Sequence, residues 1–101
     1  MARYSAEEKQ EVHTAFAAIL DQLETLQRQP DSWEESCLVH ALSYMEAGIY
    51  DRARTALGDC VTPVAERSTW RVAQLERNPP RYQIARLRQR LQNVRAEARQ
   101  R

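Results

Sequence analysis

Long apolar runs are missing from this sequence. No stretch of about 18 apolar residues occurs, so nothing in it reads as a membrane-crossing helix. Glycine is scarce, with two in 101 residues, and phenylalanine occurs once. There is no Asn-Gly or Asp-Gly pair and no alternating apolar pattern, which removes the usual signals of β-hairpins. Lysine occurs once, at Lys9. Histidine and cysteine occur twice each, at His13, His40, Cys37 and Cys60. Also lacking are a Gly-rich phosphate loop, an HExxH pair and a Ser-centred elbow.

What remains is helical composition, rich in Ala, Leu, Gln, Glu and Arg. A chain of 101 residues makes one domain with a modest core. The predicted class is all-α: a small bundle of four to five helices over residues 1–101, with a central helical hairpin and a basic amphipathic helix over 80–101. The opening MARYSAEEKQ is polar and unlike a signal peptide, so the expectation is a cytoplasmic chain with reduced thiols. A Cys37–Cys60 disulfide across the hairpin is the alternative.

Ser5 and Glu8 have capping-box spacing, which opens a first helix expected to run to Pro30. Val12, Phe16, Ile19, Leu23 and Leu26 step by four and three along it, widened by Leu20. Asp31 with Glu34, or Ser32 with Glu35, opens the second helix, and Trp33 should pack back on the end of the first. Cys37, Leu38, Ala41, Leu42 and Met45 lay an apolar stripe down this helix. Gly48 suits a helix end that needs positive φ, and Tyr50, Ala53 and Leu57 begin another helix, closed at Gly58. Thr62-Pro63 then predicts a fourth helix to about residue 77, with Val64, Ser68, Val72 and Leu75 inward and Trp70 elsewhere. Asn78-Pro79-Pro80 breaks the chain before the last helix, whose seam is Ile84, Leu87, Leu91, Val94 and Ala98.

Ala41, Tyr44, Gly48, Tyr50, Ala53 and Leu57 follow the spacing of one tetratricopeptide-type repeat, which residues 37–65 resemble. His40 stands where that family prefers Leu, and Ala65 where it has Pro. No second copy follows at about 34 residues, whereas such repeats bury a shared core only in arrays. A generic αα-hairpin with Gly at its turn is the other reading of the same residues.

Charge is unevenly placed. From residue 81 to 101 there are seven Arg and one acid, a net of +6, while residues 1–80 carry eight bases and thirteen acids, a net of −5. The basic helix is expected either to meet an acidic protein surface, on its own body, a second copy or another protein, or to contact nucleic-acid phosphates. Only Tyr82 is interleaved with its arginines, which leaves no stacking platform for single strands.

Catalytic chemistry has little to build on. Cys37-x-x-His40 sets a thiol and an imidazole one turn apart, and a zinc site with Cys60 and His13 can be drawn, but the spacing fits no finger. Gln10 and Cys37 stand three before each His, so the Glu-x-x-His pattern of carboxylate-bridged metals fails. Residues 20–28 resemble the first helix of small all-helical mutases, without the rest of that pattern. The sequence implies no enzyme, cofactor, metal or small-molecule substrate.

The functional expectation is a helical interaction or adaptor module that self-associates as a homodimer. A narrow seam flanked by polar residues is what a helix shows when it pairs with one partner. The expected partner-binding residues are Tyr44, Tyr50, Trp70, Leu87, Arg88, Leu91, Val94 and Arg95. The alternative is nucleic-acid binding through Arg81, Arg86, Arg90, Arg95 and Arg99.

Overall fold

The computed structural model describes residues 4–100, and of Gln100 only the backbone; Met1, Ala2, Arg3 and Arg101 lie outside the described residues. Among the described residues there are five α-helices and no strand: α1 (Ala6–Thr25), α2 (Ser32–Glu46), α3 (Tyr50–Cys60), α4 (Thr69–Glu76) and α5 (Ile84–Gln100). A single 3-10 turn, Val64–Glu66, precedes α4. The radius of gyration is 13.7 Å, as expected for one compact body of this length. No described helix is long and apolar enough to cross a membrane.

Two capping boxes start the first two helices. The Ser5 hydroxyl accepts from the Glu8 N–H and the Glu8 carboxylate accepts from the Ser5 N–H. At α2, of the two possible boxes, Asp31 with Glu34 is the one that forms. Glu34 is buried, and its two oxygens also accept from both terminal nitrogens of Arg28, at 2.6 and 2.8 Å. Arg67 closes the knot by donating to Asp31 at 3.0 Å. Burial works against the Asp31 charge, but the Glu34 N–H and Arg67 outweigh it and hold its carboxyl below the usual range.

α1 and α2 end in the same way. The Gly48 N–H donates to Met45 O and the Ile49 N–H to Tyr44 O, with Gly48 at φ +78°. Likewise the Gln27 N–H donates to Glu24 O and the Arg28 N–H to Leu23 O, with Gln27 at φ 55°. Both are Schellman ends, closed by a left-handed residue. α1 therefore stops five residues short of Pro30, at a turn that carries glutamine where glycine is usual.

Three further expectations are corrected. α3 continues through Gly58 to Cys60, so that glycine lies inside the helix. The fourth helix is broken: Val64 sits in the 3-10 turn and is 75% exposed, and Ser68 is the N-cap of a short α4 rather than an inward residue. Trp33 turns its indole toward the end of α3, where Nε1 donates to Asp59 O at 2.8 Å, with Arg67 and Arg71 over the ring.

The core joins four helices. Val12, Phe16, Leu20 and Leu23 come from α1, the Cys37–Met45 stripe from α2, Tyr50, Ala53 and Leu57 from α3, and Ile84, Leu87, Leu91 and Val94 from α5. Ala53 is fully buried where α2 and α3 face one another, a small residue that lets the two backbones approach. α4 buries no side chain fully; Val72 and Leu75 rest half-buried on the flank of α2. Distant side chains receive the lead-in of α5. Glu35 accepts from the Arg81 and Tyr82 N–H groups, and Gln29 from the Ile84 N–H at 2.8 Å.

Candidate interaction surface

The seam of α5 faces the chain's own core. Leu87, Leu91 and Val94 are buried against the chain's own α1 and α2. Too thin to make a core alone, that seam fills the groove left by the other helices. Tyr50 is also internal: its hydroxyl lies 2.8 Å from Nε2 of His13, and the pair is buried. Burial raises the Tyr50 hydroxyl above its ordinary range. Four of the eight expected partner-binding residues thus belong to the fold's interior.

The charged residues divide. Arg88 donates through Nη2 to Asp21 at 2.6 Å and through Nε to Glu24 at 2.8 Å, which ties α5 to α1. Arg90 pairs with Glu46 at the end of α2. The basic helix therefore meets the acidic body of its own chain. Arg86 and Arg90 lie over the Tyr82 ring, at 4.9 and 5.7 Å. The side chains of Arg81, Arg86 and Arg99 form no ion pair among the described residues. Arg95 is half-buried beside α1.

Tyr44 is half-buried beside the core and lines a cleft of about 370 Å³ with His40, Arg52, Asp59 and Arg71. Cys37 is buried at its base, whereas the His40 side chain is exposed. Burial, above all, pushes the Cys37 thiol up to about 11 and the Cys60 thiol up to about 12. Neither is a thiolate at neutral pH, so neither is an activated nucleophile.

No family model, no curated protein and no solved structure matches the chain significantly. The likeness of residues 37–65 to a tetratricopeptide-type hairpin therefore rests on their spacing, with Gly48 left-handed at the turn and Ala53 between the helices.

One surface escaped the sequence reading. Leu26, Val61 and Val64 are exposed, and Trp70 on α4 is 72% exposed. Leu26, Val61 and Val64 line one groove of about 210 Å³, floored by Ile19 and Leu23. Val64 also borders the neighbouring hollow between Trp33, Val72 and Leu75. Leu26 and Val64 fit apolar periodicities, which alone predict that they face inward. The only signals against this were the missing Gly at the end of α1 and the Ser68 that restarts α4.

Proposed function

We propose that this chain is a non-catalytic helical interaction module, and that the end of the bundle formed by Leu26, Val61 and Val64, with Trp70 on the adjoining α4, receives a protein partner. One observation carries the reading. Residues 61–70 expose three large apolar side chains in a protein whose other apolar ridges are packed. Exposed apolar groups gathered around one groove, as Leu26, Val61 and Val64 are, and an exposed Trp, are characteristic of protein interfaces. The groove has room for about one apolar side chain of a partner. The tetratricopeptide-like hairpin behind it acts as a rigid frame.

A pull-down from the native host, repeated with nuclease and with a Val64→Asp, Trp70→Ala variant, tests this. The reading expects a partner that survives nuclease and is lost with the variant. Light scattering across micromolar concentrations identifies the case in which the partner is a second copy. A chain that stays monomeric and whose captured proteins ignore the variant ends the proposal.

Nucleic-acid binding is the second reading, favoured by the side chains of Arg81, Arg86 and Arg99, which form no ion pair among the described residues. A gel-shift series at rising salt tests it, with binding expected to weaken steeply and to require Arg86. Absence of binding at low salt removes it.

A further inference from the structure

α1 and α5 run antiparallel, and their seam has two unlike ends. At one end Arg88 of α5 finds Asp21 and Glu24 of α1. Arg95 and Arg99 lie about two and three turns further along α5. There α1 presents Lys9, Gln10 and His13 instead of acids, around a cleft of about 310 Å³ that Tyr4 also lines. Among the described residues, three cations and no carboxylate line this cleft. The Arg95 Nε–H is buried and, among the described residues, has no acceptor.

We infer that the cleft between Lys9, His13, Arg95 and Arg99 is a binding site for a small phosphate-bearing anion, inorganic phosphate or a phosphomonoester. A buried guanidinium N–H without an acceptor is costly, and a planar guanidinium matches an oxyanion through Nε and Nη together. Arg88 uses those same two positions, Nε and Nη2, on two carboxylates. Arg95 carries the same guanidinium fork, lines the cleft and, among the described residues, pairs with no carboxylate. Three positive charges suit a dianion better than a single carboxylate. The cleft is at the lower end of the size of small-molecule sites, room for a phosphoryl group and a compact organic remainder. Tyr4 Oη donates to Asp51 at 2.7 Å, which places this wall of the cleft against α3. Burial first, then the charges of Arg95 and Lys9, holds His13 down to about 4, consistent with a positive field in the cleft.

The test follows the arginine Nε–Hε resonances by NMR at constant ionic strength, with inorganic phosphate, ribose 5-phosphate and a short single-stranded oligonucleotide as probes. The Arg95 signal is expected to shift and saturate with the two small phosphates, with a dissociation constant on the order of 1 mM or tighter, while Arg77 at the end of α4 does not move. Calorimetry should show binding about tenfold weaker in Arg95→Gln. Should that variant not fold, Lys9→Gln and Arg99→Gln, which change accessible side chains, should each weaken binding several-fold. A linear drift shared with Arg77, binding indifferent to Lys9→Gln and Arg99→Gln, or binding of the oligonucleotide alone overturns the inference.

Discussion

His13 Nε2 lies 2.8 Å from the Tyr50 hydroxyl, inside the protein, so the first helix is bonded to the hairpin through two polar groups at nearly full burial. The contact holds the aromatic residue of the tetratricopeptide-like spacing inward. Tyr4 leans on the same ring at 5.8 Å, and Lys9 stands over it at 5.9 Å.

This pair makes stability depend on pH. Burial first, then Arg95 from α5 and Lys9 from α1, lowers His13 from 6.5 to about 4, while Tyr50 faces it from α3. The unfolded chain therefore binds more protons than the folded one between those values. The stabilisation is fully present above about pH 6.5 and is lost as pH falls toward 4, by about 3 kcal/mol in all. Urea titrations at pH 7, 5.5 and 4.5 should show the decline, and His13→Gln should flatten it. An equal decline in that variant refutes the assignment.

The twin helix ends predict opposite responses to glycine. Gly48→Ala places a Cβ at φ +78° and should destabilise by about 1 kcal/mol, although no atom lies within 4 Å of that Cβ. Gln27→Gly relieves the same strain at φ 55° and should stabilise by about 0.5 kcal/mol. Gly58→Ala, inside α3 with open space around it, should also stabilise, by about 0.5 kcal/mol or more. Denaturation midpoints of the three variants decide, and a stabilised Gly48→Ala contradicts the turn geometry.

The α5 seam should behave as core. Leu87→Ala is expected to lose about 2–5 kcal/mol, and Leu91→Asp to unfold the protein rather than to separate subunits. Trp70→Ala, at an exposed side chain, should stay within about 0.5 kcal/mol of the parent. Far-UV circular dichroism with urea reads both. A folded, unchanged Leu91→Asp chain means that α5 does not pack here.

The thiols should be silent in the native state. Burial raises Cys37 to about 11 and Cys60 to about 12, and both side chains are covered. Iodoacetamide should label them only as fast as the chain opens, so added urea should accelerate labelling in step with unfolding. Rapid labelling of either thiol in buffer speaks against this burial.

Much of the local structure was legible in the residues because local structure obeys short-range rules. The capping boxes at Ser5 and Asp31 need only the three residues that follow. The Gly48 turn needs only a residue without Cβ, and the Asn78-Pro79-Pro80 break only the ring of proline. The apolar stripes of α2 and α5 follow from helical period. Boundaries failed where the local signal was atypical: a glutamine in the left-handed turn after α1, and a serine that restarts a helix after a 3-10 turn.

Sequence alone, then, determined that the chain is helical, where most helices begin, and which residues are apolar enough to leave water. Only the tertiary structure decided what each apolar stripe meets. Periodicity specifies a face, but the neighbour that covers it is set by long-range packing of four helices at once. That is why Leu87, Leu91 and Val94 became core, while Leu26 and Val64, equally apolar, were left outside. The same packing matched Arg88 with acids and brought Arg95 to a cleft that, among the described residues, has none.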